Sequence, residues 1–355
     1  MLVIVSDSLA LSSQAEEQQN ARLTELVGGY QLSQVVACMA RLDIATYIAD
    51  GKCSTQELAQ VTGAKPQSLR RFLRAVAALG LLEDVGPDRF KLTPLGSWLR
   101  HGNGSPSMRE FAIGLSGAAL TRTFERLTDA VITGEPAVEA ALGTSLYEYL
   151  GAHPEEAGHF AGAMGEMSDG SARQIAAQYD VSSFTRIVDV GGSHGVVLRR
   201  LLEAAPGASG VLFDRPDVVA RAQHMLNGSE LATRIEFVGG SFLEEVPGGG
   251  DLYVLREVLH NWDDAHALRI LENCHRAAMP ASKLLVGEVV LPSEVDATAQ
   301  LAFQLDLIAL VAFGGRERTR DEYADLFATA GYRLQDVRPV PSLAQPWSLL
   351  VAERL

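Results

Sequence analysis

The chain has little of what marks several large classes of protein. Its 355 residues include three cysteines with no C-x-x-C spacing, so neither a disulfide framework nor a zinc site is predicted. We expect Cys38, Cys53 and Cys274 to be core thiols. No uninterrupted apolar run approaches the roughly 20 residues that cross a bilayer, and the start MLVIV meets Asp7 too soon for a signal-peptide core. A cytoplasmic location without membrane contact is therefore expected.

Positive charge is also scarce. The formal net charge of -14 would repel phosphate backbones, which argues against nucleic acid as a partner. What the chain does have is apolar content, because 47% of its residues are hydrophobic. A chain of this length and composition exceeds one ordinary core, so two domains are predicted.

The N-terminal part has the pattern of a small helical domain. Residues 1–19 are polar after the first few positions and are expected to be flexible. Apolar residues then recur at helical spacing over 30–48, a second helix is predicted to start at Ser54, and a third to run over 66–79. The following LLEDVGPDRFKLT predicts a β-hairpin. Residues 20–105 therefore predict a winged-helix-like domain.

Two uses of such a domain stay open at this stage. Winged helices often bind DNA, and Arg70, Arg71 and Arg74 lie on the helix that would read a groove. A solvated charged face is the other interpretation of these arginines, and the acidic composition favours it. The alternative use is dimerisation, with the 30–48 helix packed against a second copy.

A different architecture follows the Gly-, Ser- and Pro-rich break at 102–107. Residues 106–180 predict a helical connector that forms part of a substrate pocket, and residues 181–355 predict a catalytic domain. In that domain strands and helices alternate, which predicts a parallel sheet covered on both faces. The predicted strands lie near 186–191, 209–214, 234–239, 251–256 and 283–290. The segments YRLQDVRPV and WSLLVAERL predict a terminal hairpin whose turn contains Pro341 and Pro346.

Residues 187–214 have the pattern of a nucleotide-type cofactor site. An apolar strand leads into a glycine turn and a helix, and a second strand ends in Asp214, an acid placed to accept two ribose hydroxyls. The dinucleotide fingerprint is incomplete, because Val190 occupies the place of its first glycine. Asp189, two residues before Gly191, would repel a pyrophosphate but suits an ammonium group, which favours S-adenosylmethionine (SAM). The alternative is that Asp189 caps a turn and Asp214 begins a loop.

His260 is the predicted catalytic base. It follows the apolar run LYVLREVL at a strand end, and with an ordinary pKa of about 6.5 histidine can take a proton from a phenol. A structural histidine that caps a helix is the alternative. Glu288, at the end of the next strand, is placed to fix the tautomer of His260. Glu317 is a second candidate, with a surface salt bridge to Arg316 or Arg318 as the alternative.

These segments resemble the plant-type, caffeate-like O-methyltransferase family, whose bacterial members tailor aromatic antibiotics and polyketides. The resemblance runs from about residue 30 to the C-terminus. It rests on MSDGS at 167–171, VDVGGSHG at 188–195, FDRPDVV at 213–219, GGSFLEEVP at 239–247, LREVLHNWDD at 255–264, GEVVLP at 287–292 and GGRERTRDEY at 314–323. It implies a Rossmann-like class I methyltransferase sheet with a terminal β-hairpin, an α/β fold. A mainly helical, winged-helix-like dimerisation domain precedes it.

The resemblance also implies roles for individual residues. His260 corresponds to the family's general base, and Glu288 and Glu317 to the two acids beside it. The implied SAM contacts are Met167, Ser171 and Gly191 near the amino-acid end, Asp214 at the ribose, and Ser241, Phe242, Arg256 and Trp262 near adenine. Three positions depart from the family pattern: Ser193 replaces a glycine, Ser241 an aspartate and Asn261 an aspartate. The first two are expected to loosen the hold on SAM without abolishing it.

Together these features predict a homodimeric, SAM-dependent O-methyltransferase without a metal. It would act on a phenolic hydroxyl of a small aromatic or polyketide substrate, with Phe303, Ile308 and Phe313 lining the acceptor pocket or packing in the core. One alternative keeps SAM but replaces methyl transfer by hydroxylation, decarboxylation or cyclisation. The other is a winged-helix regulator that senses SAM.

Overall fold

The computed structural model describes residues 16–101, 107–340 and 346–355. Most of the predicted break at 102–107 and Pro341 in the predicted hairpin turn lie outside the described residues. The chain divides into two compact units. The first comprises Met1–Gly117 with Gly158–Ala163, and the second Ala118–Ala157 with Met164–Leu355.

The first unit is helical with one small antiparallel hairpin, as predicted. Its helices pack around a core that includes Met39, Leu58, Leu73 and Phe90. Strand β1 pairs with β2 antiparallel, with Leu82 opposite Leu92. The elements are α1 (16–27), α2 (Gly29–Arg41), α3 (Ile44–Ala49), α4 (Thr55–Thr62), α5 (Pro66–Ala78), β1 (Leu82–Gly86), β2 (Arg89–Leu92), a 3-10 turn (Gly96–Leu99) and α6 (Arg109–Leu115).

Helix boundaries in this unit follow local side-chain chemistry. The predicted continuous helix over 30–48 is wrong, because the chain breaks between α2 and α3 at Asp43, whose φ is 55°. Aspartate tolerates this left-handed conformation, and its Oδ1 accepts the Thr46 hydroxyl at 2.8 Å. The predicted start at Ser54 is confirmed. There the Ser54 and Glu57 side chains form a reciprocal capping box.

Two surfaces of the first unit bear on its use. An apolar stripe on the first helices has helical spacing and consists of side chains that are each more than half exposed: Leu23, Leu26, Val27 and Tyr30. The arginines of α5 differ from one another, since Arg70 pairs with Asp88 in the hairpin turn whereas Arg71 and Arg74 are exposed. The basic side chains are therefore partly neutralised, while the apolar stripe has no cover within the described part of the chain.

The second unit places helices around a mixed sheet. Helix α11 contributes residues to both units. The helices are α7 (Ala118–Phe124), α8 (Leu127–Thr133), α9 (Val138–Leu142), α10 (Leu146–Ala152), α11 (Pro154–Gln178), α12 (Val196–Ala204), α13 (Pro216–Leu226), α14 (Asp264–Ala277), α15 (Gln300–Phe313) and α16 (Arg320–Thr329). The 3-10 turns are Glu230–Arg234, Leu259–Asn261 and Ala297–Ala299. No helix among the described residues has both the length and the apolar character needed to cross a membrane.

The sheet has the predicted parallel core and terminal hairpin. Its strands are β3 (Arg186–Val190), β4 (Ser209–Asp214), β5 (Ile235–Gly239), β6 (Leu252–Arg256), β7 (Lys283–Leu291), β8 (Arg318–Thr319), β9 (Tyr332–Val340) and β10 (Trp347–Arg354). Their order is β5-β4-β3-β6-β7-β10-β9, with the short β8 beside β7. Strands β3 to β7 run parallel, and β10 is antiparallel to β7 and β9. The order reverses between β3 and β6, which is where such sheets bind ligands.

Both faces of the sheet are covered by apolar side chains. Ile187, Leu198 and Leu252 belong to the core on one face, and Val188 and Tyr253 to the core on the other. This alternation is what a strand between two layers of helices requires. The prediction of three core thiols holds for Cys274, which is buried, but is wrong for Cys38 and Cys53, which are half-buried.

Candidate active site

The glycine turn after β3 allows no larger residues. Gly191 has a φ of 73°, and a Cβ atom built there would lie 2.8 Å from Val258 Cγ2. A Cβ atom on Gly192 would lie 2.5 Å from Leu212 Cδ1 and 2.7 Å from Asp189 Oδ2. Ser193 also adopts a positive φ, 49°, in the place where the family commonly has glycine. Gly191 and Gly192 are therefore packed so closely by their neighbours that no side chain fits at either position.

Asp214 ends β4 opposite this turn. Its Oδ2 accepts the Ser193 N–H at 2.9 Å and its Oδ1 accepts the Arg215 N–H at 2.7 Å. Each carboxylate oxygen keeps a second acceptor position, so two ribose hydroxyls can still bind. The side chain is half-buried, which leaves it accessible to a ligand.

Asp189 lies beneath the turn, where a ligand has little access. The residue is 1% exposed, and its Oδ2 accepts the N–H of Leu198 in the first turn of α12 at 3.3 Å. Burial raises the pKa of Asp189 to about 7. In the structure the Asp189 carboxyl group therefore bonds to the N-terminus of α12. The sequence had instead favoured the ammonium group of a cofactor as its partner.

Two aromatic rings meet beside the glycine turn, where a Cβ atom on Gly191 would lie 3.7 Å from the Phe242 ring. Phe242 and Trp262 are in edge-to-face contact with centroids 5.9 Å apart. Ser241 precedes this pair, and its carbonyl accepts the N–H groups of Glu244 and Glu245. Predicted adenine contacts that are distant in sequence are therefore neighbours in the fold.

Arg256 lies with a different set of residues. Its guanidinium donates to the Ser168 hydroxyl on α11 at 2.5 Å, pairs with Glu257 at 2.9 Å and stacks over Trp347 at 4.4 Å. The structure thus brings Arg256 to α11. That helix also carries Met167, which is half-buried, and Ser171, whose side chain lies outside the described part of the structure. No contact between Arg256 and the aromatic pair is seen among the described residues.

His260 sits in the 3-10 turn that follows β6. Its Nδ1 lies 2.8 Å from Glu317 Oε1 and 3.9 Å from Glu288 Oε2, and its side chain is 21% exposed. The direct contact with the imidazole therefore belongs to Glu317, whereas the sequence pattern assigned it first to Glu288. With Nδ1 engaged, Nε2 is the nitrogen left for a substrate.

Glu288 holds the backbone of the same turn. Its Oε1 accepts the N–H groups of Val258 at 3.0 Å and Leu259 at 2.8 Å, and the residue is fully buried. Two amide donors fix the carboxylate, and the carboxylate in turn fixes the residues just before His260. Both glutamates predicted to flank His260 are therefore beside it, with different tasks.

The two carboxylates change the protonation of His260. Burial lowers the pKa of His260, but Glu288 and Glu317 outweigh it and raise the value to about 9. Burial also raises the pKa of Glu288 to about 7, against the opposing effect of the His260 charge. At neutral pH the imidazole of the protein alone is therefore mainly in its cationic form.

His260, Glu288 and Glu317 also form the set of metal-type ligands found among the described residues. Their ligand atoms lie within 4.8 Å of one another. One imidazole and two carboxylates can hold a cation. Here, however, Nδ1 of His260 and Oε1 of Glu317 are bonded to each other.

The segment after α15 supports this cluster in ways that the sequence did not indicate. Glu317 N–H donates to Asp306 Oδ1 at 2.8 Å, which ties the segment to α15. A Cβ atom on Gly315 would lie 2.0 Å from the carbonyl oxygen of His260, so only glycine allows the two backbones to meet. The run GGRER carried this signal, but without the fold its glycines point to no particular neighbour.

The predicted acceptor-pocket residues do not share one face of α15. Asp306 marks the face that turns towards Glu317. At about 100° per residue, Phe303 lies about 60° and Phe313 about 20° from Asp306 around the helix, whereas Ile308 lies about 160° away. All three side chains are half-buried. Helical geometry thus allows Phe303 and Phe313, but not Ile308, to lie on the catalytic side.

These residues fit SAM. The glycine turn excludes side chains, the Asp214 carboxylate stands at a strand end, and Phe242 and Trp262 form an aromatic corner. A carboxylate suits ribose hydroxyls, and aromatic faces suit a purine. The residues therefore match the two chemically different parts of a nucleoside.

Comparison with known proteins agrees with this fit. Residues 124–333 match the O-methyltransferase domain, and residues 24–102 match the O-methyltransferase dimerisation domain. Phenazine O-methyltransferase PhzM of Lysobacter antibioticus is 38% identical over 320 residues, which are 90% of this chain and 93% of that protein. An 8-amino-8-demethylriboflavin N,N-dimethyltransferase of Streptomyces davaonensis is 36% identical over 309 residues, 86% of this chain and 88% of that protein.

A solved structure extends the comparison to ligands. It is an O-methyltransferase from neocarzinostatin biosynthesis, NcsB1, in complex with SAM and 2-hydroxy-5-methyl naphthoic acid. It is 32% identical to this chain with a TM-score of 0.75, and the match covers 91% of this chain and 96% of that one. The chain belongs to the O-methyltransferase family, and it is a homodimeric enzyme that uses SAM.

Proposed function

We propose that the enzyme methylates a phenolic hydroxyl of a small aromatic or polyketide secondary metabolite, and that His260 removes the hydroxyl proton. The observation that carries the proposal is the 2.8 Å contact between His260 Nδ1 and Glu317 Oε1 at the carboxyl end of the sheet. It leaves Nε2, the other ring nitrogen, available to an acceptor. When bound, SAM supplies a methyl group on a cationic sulfur.

The protonation of His260 suits a phenol. An ordinary phenol has a pKa of about 10, so proton transfer to an ordinary histidine is uphill by about 3.5 units, or about 5 kcal/mol. Glu288 and Glu317 raise the pKa of His260 to about 9. The gap of the transfer step then shrinks to about one unit, or about 1.4 kcal/mol, while forming the neutral imidazole at pH 7 costs about two units, or about 2.7 kcal/mol. A carboxylic acid acceptor is already ionised at neutral pH and would gain nothing from this base.

The proton moves between defined atoms. His260 would first release a proton to solvent and become a neutral imidazole whose Nδ1–H donates to Glu317 Oε1. Its Nε2 would then take the proton of the acceptor hydroxyl as that oxygen forms a bond to the methyl carbon, while the electron pair of the methyl–sulfur bond stays with the sulfur. The imidazolium that forms is stabilised by the carboxylates of Glu317 and Glu288, which lie 2.8 and 3.9 Å from Nδ1.

The cofactor contacts follow from the same placement. Asp214 would accept the ribose hydroxyls, and Phe242, Trp262 and Ser241 would surround adenine. The amino-acid end of SAM would lie at Gly191 and α11. The residues proposed to contact that end are Met167, Ser171, Arg256 and, from beneath the turn, Asp189. Phe303 and Phe313 would meet the acceptor ring. Ile308 would contact the acceptor, as predicted, only if the acceptor extends to the side of α15 opposite Asp306.

The relatives support aromatic chemistry and leave one alternative. The name of the Lysobacter enzyme gives a phenazine O-methylation, and the neocarzinostatin enzyme was solved with a naphthoic acid. The riboflavin enzyme is named for methylation at nitrogen. Nitrogen is therefore the second candidate acceptor atom. A cytoplasmic location remains our prediction.

Product analysis with matched acceptors tests the proposal. The full-length protein is incubated with deuteromethyl-labelled SAM and with pairs of aromatics that differ only in carrying a hydroxyl or an amino group. We expect S-adenosylhomocysteine and a labelled methyl ether from the phenol of each pair. Methylation confined to the amine would move the function to N-methylation. An altered product without label would favour the non-methyl alternative, and a salt-dependent DNA shift without turnover would favour the regulator.

A further inference from the structure

One buried arginine, Arg318, donates hydrogen bonds to the backbone on both sides of His260. Arg318 Nη1 donates to the carbonyl of Leu259 at 3.1 Å, and Nη2 donates to the carbonyl of Trp262 at 2.9 Å. These carbonyls belong to the first residue of the 3-10 turn Leu259–Asn261 and to the residue that follows the turn. A single planar guanidinium therefore bridges the residue before His260 and a residue just after it.

The guanidinium is itself held in place. Arg318 is 1% exposed, pairs with Val290 as part of β8, and donates through Nε to Asp264 Oδ1 at 2.9 Å. Its charge lies 6.0 Å over the ring of Tyr323. A charge so deeply buried is costly unless its donors are used, and here they bond to the carboxylate of Asp264 and to three backbone carbonyls, those of Leu259, Trp262 and, at 3.4 Å, Arg316.

The residues next to Arg318 contact the same turn. Glu317 bonds to the imidazole, and Gly315 touches the backbone of His260 and Asn261 so closely that an added Cβ would lie 2.0 Å from the His260 oxygen. The segment 315–318 thus contacts the His260 side chain, the His260 backbone, and the carbonyl groups of Leu259 and Trp262.

We propose that Arg318 is a positioning residue for methyl transfer, which fixes the backbone of the His260 turn so that Nε2 stays aligned with the acceptor oxygen. The inference rests on the proposed role of His260 as the base. Misplacement of a catalytic group by about 1 Å costs about 10²-fold in rate. The planar fork is essential, because the ammonium of lysine cannot serve two carbonyls and a carboxylate in one plane.

The test compares Arg318→Gln and Arg318→Lys with Arg316→Gln in the full-length dimer. Arg316 is the matched control, since it pairs with the same Asp264 at 3.4 Å and with Glu322, is 42% exposed, and donates no side-chain hydrogen bond to residues 259–262 in the part of the chain that the structure describes. We expect Arg318→Gln to lower kcat by about 10²-fold, with the KM of the acceptor and the Kd of SAM changed less than about threefold. Arg318→Lys should recover part of this loss, and Arg316→Gln should match the wild type.

A merely structural role is separated by the pH profile. Arg318→Lys keeps the buried positive charge, so it isolates the geometry of the turn: a looser turn weakens the contact between His260 and Glu317, and the acidic limb of the kcat profile should move to lower pH in Arg318→Lys and stay in place in Arg316→Gln. If Arg318→Gln does not fold, Gly315→Ala disturbs the same turn from the other side and should give the same loss and the same shift. A folded variant of either kind with wild-type kcat and pH limb overturns the proposal.

A double-mutant cycle separates this inference from the proposed function. In a His260→Ala background, Arg318→Gln should reduce the residual rate no further, because both act through one group. An undiminished 10²-fold effect in that background would mean that Arg318 acts elsewhere, while His260 could still be the base. Full activity of His260→Ala alone would instead refute the proposed function.

Discussion

Replacing His260 with alanine removes the proposed base and leaves the proposed cofactor contacts untouched. Loss of a general base typically costs 10² to 10⁴ in rate, or about 2.7 to 5.4 kcal/mol. The raised pKa of about 9 places His260 close to an ordinary phenol, so we expect a loss within this range for such an acceptor. The Kd of SAM should change little, because the imidazole bonds to Glu317 and not to the glycine turn.

The pH dependence follows from the same value. With a pKa of about 9, about one imidazole in a hundred is neutral at pH 7, so the wild-type rate should rise about tenfold per pH unit above neutrality and then level off. Binding of the cationic cofactor lowers the pKa of His260, so the pH at which the wild-type rate stops rising should lie between about 6.5 and about 9. The mutant should lose this limb, and its rate should instead follow ionisation of the acceptor itself.

The assay measures S-adenosylhomocysteine formation against pH for acceptors of graded acidity. For a nitrophenol that is already ionised at neutral pH, the deficit of His260→Ala should shrink to less than about tenfold, because no base is needed. His260→Gln keeps a hydrogen-bonding partner for Glu317, and His224→Ala, at an exposed position of α13, is the control. If the mutant keeps most of its activity with an ordinary phenol at pH 7, the proton transfer argued here is wrong.

Three further variants test other parts of the molecule. Asp214→Ala should weaken SAM binding by about 3 to 6 kcal/mol, since two charge-assisted hydrogen bonds of about 1.5 to 3 kcal/mol each are lost; calorimetric titration measures this, with the exposed Asp217→Ala as the control. The pKa of Asp189 is about 7 in the folded protein and 3.8 in its ordinary state, so between these two pH values the folded protein holds a proton that the unfolded chain has lost. The free energy of unfolding should therefore fall by about 4 kcal/mol as pH rises from about 3.8 to about 7. Asp189→Asn should remove this pH dependence, which denaturant titrations at several pH values measure. Val27→Glu places a charge at a side chain that is 77% exposed in the apolar stripe and should shift light scattering towards monomer, whereas an unchanged dimer would exclude the stripe from the interface.

The architecture was predictable wherever the signal is local. The run IVDV and the run LYVL are apolar and short, and each is followed by turn residues, so the strands near 186–191 and 251–256 were placed within one or two residues of β3 and β6. The capping box at Ser54 is equally local. Such signals need no knowledge of the rest of the chain.

Other features depend on tertiary contacts that no window of sequence contains. The apolar period over 30–48 continues through Asp43, yet the helix breaks there. The two-residue strand β8 exists because Arg318 and Thr319 pair with Val290 and Leu291, which are distant in sequence. In both cases the period alone predicts the wrong local structure or none.

The candidate site shows the same division. That His260 and Glu288 meet was predictable, because adjacent parallel strands bring their carboxyl ends to one edge. Which glutamate bonds to the imidazole was not, since that depends on how the segment after α15 returns to the sheet. The contact of Arg256 with Ser168 likewise depends on where α11 lies, and the sequence holds no measure of that distance.

One departure from the family pattern acquires a physical reason in the fold. Glu257 has a φ of 52°, and its carbonyl accepts the Asn261 amide at 3.2 Å. An aspartate at position 261 would have no donor for that carbonyl. Asparagine therefore supports a residue in the left-handed conformation, which a non-glycine residue adopts at a cost. Ser193 has no such support, because it takes a φ of 49° where glycine would do so without strain, while its N–H still donates to Asp214.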